Sequence, residues 1–242
     1  MIIGKHSSMK TAIMQPYFFP YIGYFQLINS VDIFVIYDKI QYTKKGWINR
    51  NRILLNKKES MITLPIKKDS DFLNVNERFL SDNWLIESIK ILNLVREAYR
   101  KAPYFDMVYP IINECINYDS RNLFKFIFNS INLIIDYLEI ETQIILSSSI
   151  NINHELKAED KVISICNELE TSIYINPIGG LELYSKDKFM ENGLDLFFLK
   201  TNDLVYQQCN NSTFISNLSI IDVLMNNSKE KVKEMLDKYT IL

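Results

Sequence analysis

The 242-residue chain is poor in several features that would announce a function. It lacks an excess of positive charge. The formal net charge is −2, which excludes the strong positive field of a nucleic-acid binder, so no nucleic-acid partner is expected. It also lacks a long apolar run: nothing approaches the roughly 20 residues of a membrane span. Met1–Ser8 has no apolar core of a signal peptide, and a cytoplasmic protein is the expectation. Cys115, Cys166 and Cys209 sit on apolar or mixed segments without ligand spacing, so they suit a reduced compartment and no metal site is expected. Histidine is nearly absent. His6 lies in residues 1–8, read as a disordered extension or tag remnant, which leaves His154 as the one histidine of the folded region. There is no G-x-G-x-x-G and no P-loop lysine motif, and no cofactor is evident.

Polar and aromatic residues are concentrated in one stretch, Met14–Asn51 (MQPYFFPYIGYFQLINSVDIFVIYDKIQYTKKGWINRN). Thr11–Met14 reads as a buried strand. Pro16 and Pro20 forbid regular structure across Gln15–Pro20 by fixing φ and removing N–H donors. Tyr21–Asn29 carries Ile22, Phe25 and Ile28 at helical spacing, and Val31–Tyr37 is a β-branched and aromatic run. Two strands joined by a helix form a βαβ unit, whose ligands bind beyond the carboxyl ends of the strands. Those ends are Gln15–Tyr17 and Asp38–Asn51, so both polar clusters are expected on one rim.

Further along, Arg52–Asn56 and Ser60–Ile66 read as a hairpin around NKKE. Residues 82–140 are a helical section, with breaks at Pro103 and near Tyr118–Ser120. These helices either pack on the sheet or form a small sub-lobe over it. Strands return at Gln143–Leu146, Ser172–Ile175 and Leu194–Leu199, with helices at Ala158–Glu168 and Lys186–Glu191 between them. Ile215–Asn226 and Lys229–Tyr239 read as two closing helices. The fold expectation is α/β: a Rossmann-like, mostly parallel sheet of about five strands, flanked by helices, in a single domain over residues 9–242.

Several residues on the expected rim can carry chemistry. Gln15, Tyr17 and Tyr24 offer amide, stacking and hydroxyl groups, against a reading as a turn packed locally. Asp38 either takes a proton or holds a sugar hydroxyl, or it is a turn residue accepting backbone N–H bonds. Gln41, Tyr42, Asn49 and Asn51 extend that cluster, and Arg50 offers a fork for phosphate or carboxylate. Trp47 either flanks a ring or edges the core. Lys67 either meets an anion or ends a solvated strand. Asn176, Gly179, Gly180 and Tyr184 form another turn after a strand, where glycine N–H groups suit an oxyanion. His154 is a general-base candidate, with a capping or surface role as the alternative.

MQPYFFPYIGYFQLI, a strand ending in YD, then QY and NRNRI, resembles the WbqC-like family of bacterial polysaccharide-cluster proteins. YINPIGGLELY, GLDLFF and LSIIDVLMNN resemble its second half, so the likeness runs from about Met9 to about Asn227. One departure is Asn176-Pro177-Ile178, where the family pattern leads one to expect Ser-Gly. The resemblance implies O-antigen biosynthesis and an acyl or aminoacyl transferase, a glycine transferase among the options. Its substrate would be a nucleotide-linked sugar, with an acyl-donor carrier as a further partner and self-association left open. An ATP-dependent ligase and a non-catalytic sugar-nucleotide-binding or scaffold protein are the alternatives. A strand, a Pro-bearing loop and a helix also resemble nucleotidyltransferase folds. Their His-x-Gly-His element is missing, which argues against adenylyl transfer by that route.

Overall fold

The computed structural model describes residues 8–209 and 213–242, so the 1–8 extension, His6 included, falls outside them apart from Ser8. In chain order, β1 is Lys10–Met14, α1 Ile22–Asn29 and β2 Ile33–Ile36. A hairpin follows, β3 (Arg50–Leu55) and β4 (Lys58–Thr63), then α2 (Trp84–Tyr99), α3 (Phe105–Ile116) and α4 (Leu123–Leu138). The chain continues through β5 (Gln143–Leu146), α5 (Ala158–Glu168), β6 (Ile173–Pro177), α6 (Lys186–Glu191) and β7 (Asp195–Thr201). It closes with α7 (Ile220–Asn226), α8 (Lys229–Leu236) and β8 (Tyr239–Ile241).

The main sheet has six strands in the order β5-β2-β1-β6-β7-β8. The first five are parallel and only β8 runs against its neighbour. The alternation of side chains along these strands divides the core. Ala12, Phe34 and Ile36 join the cluster under α1–α4, α7 and α8, whereas Ile13, Ile33 and Val35 join the one under α5 and α6. Helices thus cover both faces, which is why the strands read as unbroken apolar runs. The helical section shares one continuous buried cluster with α1 and the sheet.

The first helix is buried on nearly every side, between the sheet and α8, and its sequence is apolar all round. Its polar exception, Gln26, donates to the carbonyls of Met235 and Lys238 at the end of α8 (2.8 and 3.1 Å). Gly23 is explained by packing, since a Cβ there would collide with the Tyr21 ring and with Thr201 Oγ1.

Two expectations about the chain's end are corrected. The last helix stops at Leu236, and Tyr239–Ile241 forms the sixth strand, pairing with Leu199–Thr201. The preceding helix begins at Ile220, later than the periodicity suggests, because Ser219 caps it and donates its hydroxyl to the Phe19 carbonyl. The hairpin turn is also tighter than NKKE implies. Asn56 and Lys57 both take positive φ (50° and 63°), the two-residue turn whose twist matches paired strands.

The order of the strands fixes where a ligand belongs. From β1 the chain first builds outward through β2 and β5, then crosses back to β6 on the other side. β1 and β6 pair only at Lys10–Thr11 with Ile173–Tyr174, so their carboxyl ends part. A reversal point with diverging strand ends is where open α/β sheets hold ligands.

Candidate functional site

A cleft of about 970 Å³ opens at that point, at the upper end of the range for small-molecule sites. Its floor is Ile13 and Met14 of β1 and Asn176 and Pro177 of β6. Gln15 and Tyr17 extend one wall, and Tyr37, Lys39, Ile40 and Gln41, following β2, form the next. The segment from His154 to Ala158, entering α5, and Lys161 inside it form a third wall. Gly179, Gly180, Leu183 and Tyr184 close the rim after β6.

The electrostatics of this cleft differ from those of the whole chain. Three lysines, Lys39, Lys157 and Lys161, line it against one carboxylate, Glu155. The Lys161 ammonium donates to the His154 carbonyl (3.1 Å) and stands 5.6 Å from the centre of the Tyr37 ring. Burial pulls its pKa below the ordinary lysine value, opposed by the nearby Glu155 and Asp38 carboxylates. Tyr17, Tyr37 and Tyr184 all have pKa values raised by burial, so they present neutral hydroxyls and ring faces. His154 Nδ1 is buried and has no hydrogen-bond partner. Ala158, at the start of α5, holds a left-handed φ of 47°, a conformation that costs a non-glycine residue energy and here turns the chain into the cleft wall.

The turn after β6 is set by a close approach. Asn176 is buried, its carboxamide oxygen accepting from the Tyr174 hydroxyl (3.0 Å) and its nitrogen donating to the Pro177 carbonyl (3.2 Å). A Cβ on Gly180 would meet that carboxamide nitrogen, whereas one on Gly179 would meet nothing within 4 Å. Gly180 therefore makes room for Asn176, and Gly179 lies open to the cleft.

The structure gathers Gln15, Tyr17, Gln41, His154, Asn176, Gly179, Gly180 and Tyr184 around this cleft. It puts the remaining candidates elsewhere. Tyr24 is 2 % exposed, packs against Phe25 and Phe34, and donates to the Gln15 carbonyl (3.0 Å) from beneath the turn. Asp38 is buried, with Oδ1 accepting from Ser147 Oγ (2.8 Å) and the Ser148 N–H (2.9 Å), and Oδ2 from Asn76 (3.4 Å). It ties the end of β2 to the turn after β5.

The Tyr42 hydroxyl donates to Asn49 Oδ1 (2.9 Å), and the Asn49 amide donates to the Leu64 carbonyl (2.8 Å). Arg50 donates to the carbonyls of Gly46 (3.0 Å) and Lys45 (2.6 Å), and Asn51 to those of Phe19 (2.8 Å) and Phe18 (3.2 Å). Trp47 stands on a neighbouring slot with Arg52 over its ring. Lys67 is exposed, 3.7 Å from an Asp82 oxygen.

Lys161, Tyr37, Lys39 and Lys157 line the cleft but escape sequence reasoning. The available signal is position: Tyr37 and Lys39 flank Asp38 at a strand end, and Lys161 lies one turn into the helix after His154.

A family model described as the WbqC-like protein family matches residues 15–234. The chain is also similar to "Uncharacterized protein Rv1507c" of Mycobacterium tuberculosis, with 31% identity over 173 residues, covering 69% of this chain and 71% of that protein. No solved structure matches the chain. Among the described residues, no helix is long and apolar enough to cross a membrane.

Proposed function

The chain belongs to the WbqC-like protein family, and from that premise we propose that it is an acyl- or aminoacyltransferase. Its acceptor is a nucleotide-linked sugar used in bacterial surface polysaccharide synthesis, and the cleft between β1 and β6 is its site. One observation carries the reading. In a chain of net charge −2, three lysines and three tyrosines surround a cleft at the reversal point of a parallel sheet. Lysines suit phosphate oxygens and half-buried neutral tyrosines suit a sugar ring, whereas an uncharged apolar ligand would leave Lys161 desolvated without an anion.

In this reading Lys161 and Lys39 hold the phosphates, while Tyr37 and Tyr184 flank the sugar. The acceptor amine or hydroxyl attacks the carbonyl carbon of the donor, and a C–N or C–O bond forms. His154, which lines the cleft, takes the proton lost by the acceptor. The electron pair of the broken bond leaves with the donor's leaving group, which receives that proton. Backbone N–H groups of the Gly179–Gly180 turn stabilise the oxyanion between the two steps. Asp38 is a positioning residue here, since its oxygens are spent on Ser147, Ser148 and Asn76.

Two substitutions test this. Lys161→Ala should weaken binding of a nucleotide-linked amino sugar by roughly tenfold to a hundredfold in calorimetry, the size of a lost charge-assisted bond. His154→Ala should keep that affinity and lower transfer by about 10²–10⁴-fold. Transfer would be followed as the mass gain of the sugar nucleotide with thioester and aminoacyl donors. Unchanged affinity in the first and unchanged turnover in the second would end the assignment.

A further inference from the structure

Beside the cleft lies a second opening of about 280 Å³, walled by Tyr17, Pro20, Tyr21, Trp47, Arg52 and Asn217. Tyr17 lines both openings and so stands between them. Trp47 is 40% exposed, while Trp84 is 4% exposed in the core. Trp47 thus leaves much of its ring open on a polar loop.

The loop is fastened. Arg50 binds the carbonyls of Lys45 and Gly46 just before it, and the Phe18 N–H binds the carbonyls of Trp47 (3.4 Å) and Ile48 (3.1 Å). The Arg52 guanidinium stands 5.3 Å from the indole centre, held there by Glu59 (2.9 Å) and the Asn217 carbonyl (3.1 Å). The indole is thus a preorganised platform with one cation already stacked on it.

We infer that this slot is a nucleobase pocket adjoining the cleft. Three aromatic rings and a proline line it, and the Asn51 and Arg52 side chains beside them are engaged within the protein. Asn51 is bonded to Phe18, Phe19 and the Arg52 N–H, and Arg52 to Glu59 and Asn217. A flat base stacks on such rings, and Asn217 belongs to the same lining. The base comes either from the nucleotide-linked sugar, reaching past Tyr17 while its phosphates meet Lys161, or from a second nucleotide carrying the acyl donor. That the slot serves the cleft rests on the transferase reading, but that it binds a base does not.

Trp47 fluorescence reads the slot directly, because Trp84 is shielded. Full-length protein would be titrated with UDP-N-acetylglucosamine, UMP and AMP, with calorimetry on Trp47→Ala, Trp47→Phe and Lys161→Ala. The expected result is saturable quenching, with affinity about tenfold or more weaker in Trp47→Ala and partly restored in Trp47→Phe, the size of a base–aromatic stack. If the nucleotide sugar quenches and Lys161→Ala weakens it too, one ligand spans both openings. If AMP quenches independently of Lys161 and of saturating nucleotide sugar, the base is that of a second substrate. Absence of quenching by all three, or an affinity indifferent to Trp47→Ala, would overturn the slot. Loss of nucleotide-sugar binding in Lys161→Ala alone would leave the cleft reading standing without it.

Discussion

Two polar regions of this protein look alike in sequence and do opposite things in the fold. In Asp38–Asn51, the carboxylate, amides and guanidinium of Asp38, Asn49, Arg50 and Asn51 turn inward, and each is consumed by backbone carbonyls, N–H groups or neighbouring side chains. In His154–Lys161 and Asn176–Tyr184, by contrast, His154, Glu155, Lys157, Lys161, Asn176 and Tyr184 line a cleft, where only Lys39, Ile40 and Gln41 of the first region join them. The density of costly side chains marked where irregular backbone has to be held. The prolines at 16 and 20 and the long β2–β3 connection leave many carbonyls without a ladder, and buried polar groups must be satisfied. The second region borders the ligand space because the strands beneath it diverge.

The inward set should answer to stability and the outward set to binding. Beyond the kinetic loss expected of His154→Ala, the largest effect should come from Asn51→Ala. It strips the Phe18 and Phe19 carbonyls and the Arg52 N–H of a buried partner, and should cost about 3 kcal/mol in urea unfolding. A large affinity loss at unchanged stability would reverse the comparison.

The adjacent glycines sharpen it further. Gly180→Ala should destabilise by about 1–3 kcal/mol, as overpacking does, because the methyl group invades the Asn176 carboxamide. Gly179→Ala has open space and should unfold like the parent. Equal midpoints for the two variants would mean that the Asn176 contact is not what requires glycine.

The smallest effect belongs to an exposed contact far from both regions. Glu139 pairs with Lys229 and Lys233 of α8, and those ammonium groups hold its pKa down to about 2, from an ordinary value of 4.5. Because the folded value is the lower one, the pair's stabilisation is complete above about 4.5 and is lost as pH falls toward 2. Glu139→Gln should therefore narrow the difference in urea midpoint between neutral and acid conditions, and an identical acid limb in both proteins would show the pair to be inert.

The fold was largely legible. Strands that are apolar without interruption, separated by helical periodicities, left little besides a parallel sheet covered on both faces. What was misread lay at the ends of elements. Tyr239 reads as the end of the helix Lys229–Tyr239, but it opens the strand Tyr239–Ile241, which pairs along the open edge of β7. Asn56-Lys57 lacks the glycine usual in such a turn and is enforced by the pairing of β3 with β4. The site was half legible. Gln15, Tyr17, Gly179 and Tyr184 follow β1 and β6 and Asn176 lies at the end of β6, so the strand-end rule finds them without knowledge of strand order. Lys161 does not follow a strand.

The sequence by itself determined the element types, the βαβ beginning and the family, since these depend on local periodicity and on residues near one another in the chain. Only the tertiary structure decided which polar groups are free. Asp38 and Arg50 read as ligands for a substrate until the carbonyls and hydroxyls that occupy them are known. Lys161 reads as one more helix lysine until α5 is seen to cross from β5, behind β2 and β1, to reach β6. That crossing brings the start of the helix to the rim where β1 and β6 part, and it leaves an ammonium group partly desolvated beside a tyrosine ring and facing a cleft. Spacing along a chain cannot encode that position, because it depends on the order in which strands pair.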